Sequence, residues 1–234
     1  MKEKILSLDI SRQPDDSTCG PTCLHAVYNY FDYEITLNEV INNVEYLKDG
    51  GTLGALLGID ALKRGFEAEI ITYNLKVFDP SWFESTDIDL VAKLNEQLNY
   101  KTDPKFRQAS KAYISFLEMG GKISYKTLNE ALIFNYLSKE IPVLTGLSAT
   151  YLYNEKREIG SDPVRFDDVA GNPSGHFVVL NGMDPVEKTV KISDPLQANA
   201  YNKQHYTVAT DHLICSILLG ILTYDANLLI IQNK

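Results

Sequence analysis

Gln13-Pro14-Asp15-Asp16-Ser17-Thr18-Cys19-Gly20-Pro21-Thr22-Cys23-Leu24 is the stretch on which the fold turns. Its first half is a polar turn. Its second half opens a helix: Cys23, Ala26, Val27, Tyr30 and Phe31 recur at three- and four-residue spacing and so share one face. Ser17 or Thr18 can cap this helix, and Pro21 is tolerated in a first turn. Cys19 then falls at the helix start, where free backbone N–H groups and the positive end of the dipole stabilise negative charge on sulfur. Asp15 and Asp16 act in the opposite sense. Gly20 removes a side chain where a substrate backbone would approach. Gln13, six residues before Cys19, can fold its amide back beside the Cys19 N–H, giving two donors for a developing oxyanion.

Outward from that stretch, Thr36 and Glu39 form a capping-box pattern ahead of a second helix with Leu37, Val40, Ile41, Val44 and Leu47 as its buried stripe, ended by Gly50 and Gly51. A third helix is expected over about 52–64, closed by Gly65, and then FEAEIITY as a strand. Residues 79–140 differ in kind: Pro80 and Pro104 break them, and helical patterns follow near Asp87–Leu98, Pro104–Met119 and Ser124–Lys139. The C-terminal part is β-rich, with strand candidates in IPVLTGLSATYLY, HFVVLNGM, TVKISD, LLGILTY and LLIIQ. Between them, residues 154–175 form a long polar segment of the kind that often serves as a lid.

Among the four histidines, His25 is six residues from Cys19 and points to another helix face. His176 follows Gly175 and opens an apolar strand that would hold it rigidly. A hairpin turn centred near Pro185 would set opposite one another strand positions whose numbers sum to 370, as those of His176 and Asp194 do. Directly opposed residues point to one face, so Asp194 could accept the second ring N–H of His176. Cys23 and Cys215 are expected as packed core thiols, and His205 and His212 as solvent-facing. A zinc site on Cys19 and Cys23 lacks a second ligand pair. Tyr151 and Tyr153 lead into the long polar segment and could line a cleft.

The 234 residues carry 44% apolar side chains, enough to bury a core, and a net charge of −9. That balance argues against a phosphate backbone or an anionic membrane surface as the main partner. The N-terminal MKEKILSLDISRQ has no apolar run of secretory length, and the run from Leu213 to Thr223 is too short to cross a bilayer. Three cysteines in a chain of this length fit a reduced, cytoplasmic protein better than a disulfide framework.

With its Gln six residues before a Cys-Gly and its later Gly175-His176-Phe177 and Asp194-Pro195, the chain resembles papain-like cysteine peptidases, most closely the branch of bacteriocin leader-processing (double-glycine) peptidases. Thr18 stands where many members of that branch carry Asp, and no GxxxxGK[ST] loop occurs. The resemblance implies an α+β fold, with a nucleophile-bearing N-terminal helix packed on an antiparallel sheet, as a single domain over 1–234 into which the helical block 79–140 is inserted. It implies Cys19 as nucleophile, His176 as general base, Asp194 as orienting acid and Gln13 as oxyanion donor. Gly20, Gly175 and Tyr151 are then candidates for contact with a peptide or amide substrate. No metal or cofactor is called for. Hydrolysis and acyl transfer to an amine would use the same triad, and a non-catalytic peptide-binding module would use the same scaffold.

Overall fold

Apolar period decides the first helix as expected, though without the side-chain cap expected from Ser17 or Thr18: α1 spans Cys19–Tyr30, and the chain leaves it through Asp32, which takes a left-handed φ of 55°. The computed structural model describes residues 2–47, 50–160 and 164–234. Ahead of α1 lies a short strand, β1 (Lys4–Ile5), and after it α2 (Leu37–Asn43), whose Thr36/Glu39 capping box is formed. This helix is shorter than its apolar stripe suggested, because Val44 already adopts an extended conformation. Then come α3 (Gly54–Lys63) and β2 (Glu67–Thr72). Residues 79–140 hold α4 (Leu90–Gln97), α5 (Pro104–Glu118) and α6 (Glu130–Ser138), each started by an Asp or Asn side chain that accepts a first-turn N–H. They also hold β3 (Lys122–Ser124), so this stretch contributes to the sheet as well as to the helices.

The rest alternates. Strand β4 (Val143–Ser148) runs straight into α7 (Ala149–Tyr153), where the sequence suggested one long strand. The polar segment that follows contains β5 (Glu158–Ile159) and β6 (Arg165–Phe166), which form a two-stranded sheet apart from the main one, with Glu158 also bridged to Asn172, and residues 161–163 lie outside the described ones. Strands β7 (Gly175–Asp184), β8 (Thr189–Ser193) and β9 (His205–Ala209) form a meander. The end of helix α8 (Thr210–Leu219) and a 3-10 turn (Gly220–Thr223) take the place of the strand expected from LLGILTY, and β10 (Asn227–Gln232) follows. Cys215, expected in the core, lies exposed on α8.

The sheet order is β3-β2-β10-β4-β7-β8-β9, with β1 beside the far half of β7. Every pairing is antiparallel except β2 with β3. Strand β7 is buried on both faces. Phe177 and Val179 enter one core with α1, α3 and α5, and Val178 and Leu180 enter another with α6, α7 and α8. Each such side chain contributes about 1.5–3 kcal/mol of burial, which fixes the strand and whatever stands at its mouth.

The hairpin of β7 and β8 differs from the expected register. Its turn is the four residues 185–188, and a bulge lies between Leu180 and Gly182, where Asn181 is the extra residue. Asn181 is tied down from outside the hairpin. Its carbonyl accepts the Leu6 N–H at 2.7 Å, and its Nδ2 donates to the Leu6 carbonyl at 3.2 Å.

Candidate active site

Cys19 is the first residue of α1 and keeps 8% of its surface exposed. Thr18, the residue before it, makes no side-chain cap. Its hydroxyl donates instead to the Asp15 carbonyl at 3.0 Å. The first-turn N–H groups of an α-helix have no intrahelical partner, so the Cys19 N–H remains a donor directed out of the helix end. Asp15 is occupied within its own turn. Its Oδ1 accepts the Ser17 N–H at 2.8 Å and the Ser17 hydroxyl at 2.7 Å. Burial works to raise this carboxyl, but the Ser17 and Thr18 hydrogen bonds hold it below the usual carboxylate range.

Gln13 is buried, and its backbone N–H donates to the Pro195 carbonyl at 3.0 Å, which joins the turn before α1 to the loop after β8. Its Nε2 gives one N–H to the Asp15 carbonyl at 2.9 Å. An amide has two, so one stays free. Its Oε1 is buried without a partner among the described residues.

His176 and Asp194 meet as the sequence suggested, but not by direct opposition. Val179 pairs with Ser193, so Asp194 falls level with Val178, two residues along from His176. The even step keeps both on one face, and a diagonal gap of about 7–8 Å is within reach of an imidazole. The bulge makes the step even: with the same sequence and no bulge, the pairing of Gly182 with Lys191 would run on to set Asp194 level with Val179, on the opposite face from His176. His176 Nε2 lies 2.9 Å from Asp194 Oδ1. The other ring nitrogen, Nδ1, is thereby left for a second partner, and Cys19 is near enough to favour the charged form of the ring. Burial works to lower the His176 pKa, but the Asp194 charge and hydrogen bond, followed by Cys19, raise it to about 10.

The Asp194 carboxylate is fully buried and saturated with donors. Oδ1 also accepts the Leu196 N–H at 2.8 Å, and Oδ2 accepts the hydroxyls of Tyr206 at 2.7 Å and Tyr153 at 2.8 Å and the Asn199 amide at 3.3 Å. Burial alone would raise its pKa; His176 and the tyrosine hydroxyls hold it below the ordinary value. Sequence reasoning missed Tyr206 and Asn199. No local pattern marks them, because each is brought to Asp194 by pairing or by a loop turn.

Three expected substrate contacts are corrected. A Cβ on Gly20 would lie 2.5 Å from Thr52 Cγ2, 3.2 Å from Leu57 and 3.3 Å from Phe177, so the missing side chain admits α3 and β7 rather than a substrate. A Cβ on Gly175 would lie 2.6 Å from both Asp225 Oδ2 and Thr223 Oγ1, so this glycine makes room for the chain entering β10. Tyr151 is not brought to the triad. It stacks on His212 at 5.0 Å, along an open groove of about 570 Å³. Tyr153 is the member of that pair that reaches the site, with its ring 6.1 Å from that of His176. Cys23 is a core thiol donating to the Phe177 carbonyl at 3.2 Å, and His25 is held at the Ile35 carbonyl. Among the described residues no group of three or more His, Cys, Asp or Glu is placed to hold a metal ion.

A cysteine at the start of a helix and an imidazole in contact with a buried carboxylate prompt comparison with known proteins, and the Peptidase C39-like family matches residues 5–212. The chain belongs to this family. Among solved structures, a protein described as a C39-like peptidase from Bacillus anthracis has the same fold, at 14% identity and a TM-score of 0.54, with 100% of this chain and 99% of that one covered. Two others resemble it more loosely. One is a double glycine motif protease from an AMS/PCAT transporter, in complex with the leader peptide (14% identity, TM-score 0.47, 99% and 95% covered). The other is xylellain, a cysteine protease from Xylella fastidiosa (12% identity, TM-score 0.45, 100% and 87% covered). No curated protein matches the chain. The family and the fold are those of papain-like cysteine peptidases. Among the described residues no helix is long and apolar enough to cross a membrane.

Proposed function

We propose that the protein is a cysteine peptidase or amidase that cleaves a peptide-like bond through a thioester on Cys19. The observation that carries this is the 2.9 Å contact of His176 Nε2 with Asp194 Oδ1, with Cys19 at the start of α1 near enough to bear on the charge of the ring. Cys19 Sγ–H gives its proton to His176 Nδ1, and the sulfur attacks the substrate carbonyl carbon. The oxyanion is held by the Cys19 N–H and the free N–H of Gln13 Nε2. His176 returns the proton to the leaving nitrogen as the C–N bond breaks. A water molecule then gives a proton to His176 and its oxygen to the acyl carbon, releasing the acid and the thiol. Asp194 keeps the imidazole in one tautomer and supports its positive form.

The family match across residues 5–212, and a sheet in which C-terminal β10 lies between β2 and β4, favour a single peptidase domain that includes residues 79–140. All three cysteines are free, as a reducing, cytoplasmic setting would have it. The test is a mixed peptide library with products read by mass spectrometry, together with iodoacetamide labelling of the three thiols. New termini produced by the wild type and not by Cys19→Ala, with rapid labelling confined to Cys19, are expected. No cleavage and equal labelling of all three thiols would remove the proposal.

A further inference from the structure

A second carboxyl group lies beside the site and has no part in the triad. The chain entering β10 crosses the ends of β4 and β7, and two glycines there are bare for the sake of one residue. A Cβ on Gly146 would lie 2.5 Å from the Asp225 carbonyl oxygen and 2.7 Å from Asp225 Cβ. A Cβ on Gly175, the residue before His176, would lie 2.6 Å from Asp225 Oδ2. The backbone of Asp225 is tied at both ends, its N–H to the Gly220 carbonyl at 2.9 Å and its carbonyl to the Asn227 N–H at 2.8 Å. Tyr224 before it holds a left-handed φ of 74°, a conformation that costs free energy in any residue but glycine.

So seated, the Asp225 side chain is 7% exposed, and its Oδ1 is buried without a partner among the described residues. The charged groups that act on it are Lys105, at the start of α5, and His176, at the mouth of β7. The titratable phenol that responds to its charge is Tyr113, also on α5. The Thr223 hydroxyl, which donates to the Gly220 carbonyl at 3.1 Å, lies beside it at the same bare Gly175. A structural role alone explains this poorly, because an amide of the same shape would avoid burying an unpaired carboxyl.

We propose that Asp225 is a positioning residue of the catalytic centre, a second carboxylate whose charge, felt through the bare Gly175, favours the imidazolium form of His176. The proposal rests on His176 being the base, as set out above. Burial raises the Asp225 carboxyl to about 7, against the Thr223 hydroxyl and the Lys105 and His176 charges. Below that pH it is neutral and leaves His176 to Asp194 alone; above it, both carboxylates hold the imidazolium. Its raised pKa also makes it a cost to the fold that is absent below the unfolded value of 3.8, grows as pH rises toward about 7 and is constant above that.

The experiment compares wild type with Asp225→Asn, which keeps the shape and removes the titration. The ring chemical shifts of His176 are followed by NMR from pH 5 to 9, with thermal unfolding at pH 8 and iodoacetamide labelling of Cys19 in parallel. An inflection of His176 near pH 7 in the wild type, lost in Asp225→Asn, with the variant melting higher than wild type at pH 8, is the expected result. A His176 profile that superimposes in the two proteins, or a variant that melts lower at pH 8, overturns the proposal. An inert Cys19 beside an inflecting His176 would instead sink the peptidase assignment and leave this coupling standing.

Discussion

Asp194→Asn takes away a charge and leaves a shape, so it isolates what the carboxylate does for His176. The substituted amide can still accept the His176 and Leu196 N–H groups through its oxygen. Its nitrogen can donate to the Tyr153 and Tyr206 hydroxyls, which accept as readily as they donate. The fold is therefore expected to survive. The imidazole is not expected to stay charged. It is raised from 6.5 to about 10 in the wild type, and the leading cause that raises it is the Asp194 charge, whereas burial, which lowers it, remains in the variant. His176 should then lose its proton at or below 6.5 instead of near 10, a displacement of about 3.5 pH units or more. A hydrogen bond to a charged group contributes about 1.5–3 kcal/mol and a neutral one about 0.5–1.5, so removing the charge while keeping the bond costs about 1–1.5 kcal/mol. At 1.36 kcal/mol per decade, this slows attack by Cys19 roughly 5- to 13-fold. The assay is the rate of Cys19 alkylation by iodoacetamide, mapped by mass spectrometry between pH 5 and 10. Stability gives an independent sign. A histidine raised in the folded state contributes fully below its unfolded value of 6.5, and the contribution is lost as pH rises through about 10. The melting advantage of wild type over variant should therefore be present at pH 6 and shrink toward pH 10. An unchanged alkylation rate at pH 7.5 with an unchanged pH profile would refute the reasoning.

Two further outcomes follow from packing and register. Gly20→Ala should lower stability by about 1–3 kcal/mol in urea titration, because the added methyl meets Thr52 Cγ2 at 2.5 Å, and Thr52→Ser, which deletes that methyl, should recover part of the loss; an unchanged midpoint would count against the close approach of α1 and α3. Deleting Asn181 should spare Cys19 labelling, since the flanking pairs Leu180–Ile192 and Gly182–Lys191 become continuous, whereas deleting Val179 moves His176 to the face away from Asp194 and should abolish it; equal labelling in the two deletions would show that the bulge does not set the phase.

The local features could be read from the chain because each depends on neighbours in sequence. Helix α1 follows from its apolar period, and the Thr36/Glu39 capping box and the helices of 79–140 from capping residues and apolar period. Even the meeting of His176 with Asp194 was legible, because both flank a hairpin, although the pairing that achieves it was not the expected one.

What needed the tertiary structure depends on elements distant in sequence arriving at one place. LLGILTY is as apolar as a strand, but it ends α8 and turns through a 3-10 helix, with Leu218, Leu219 and Leu222 exposed, as is Cys215 on α8. Glycine 20 is bare because Thr52 and Phe177 come against it, and Gly175 because Asp225 does. Tyr206 and Asn199 reach Asp194 only through strand pairing and a loop turn. By itself the sequence determined which residues could do the chemistry, since residue type and local conformation are short-range properties. The structure decided which of them touch, because register, one bulged residue and close packing are set by long-range contacts that no window of sequence contains.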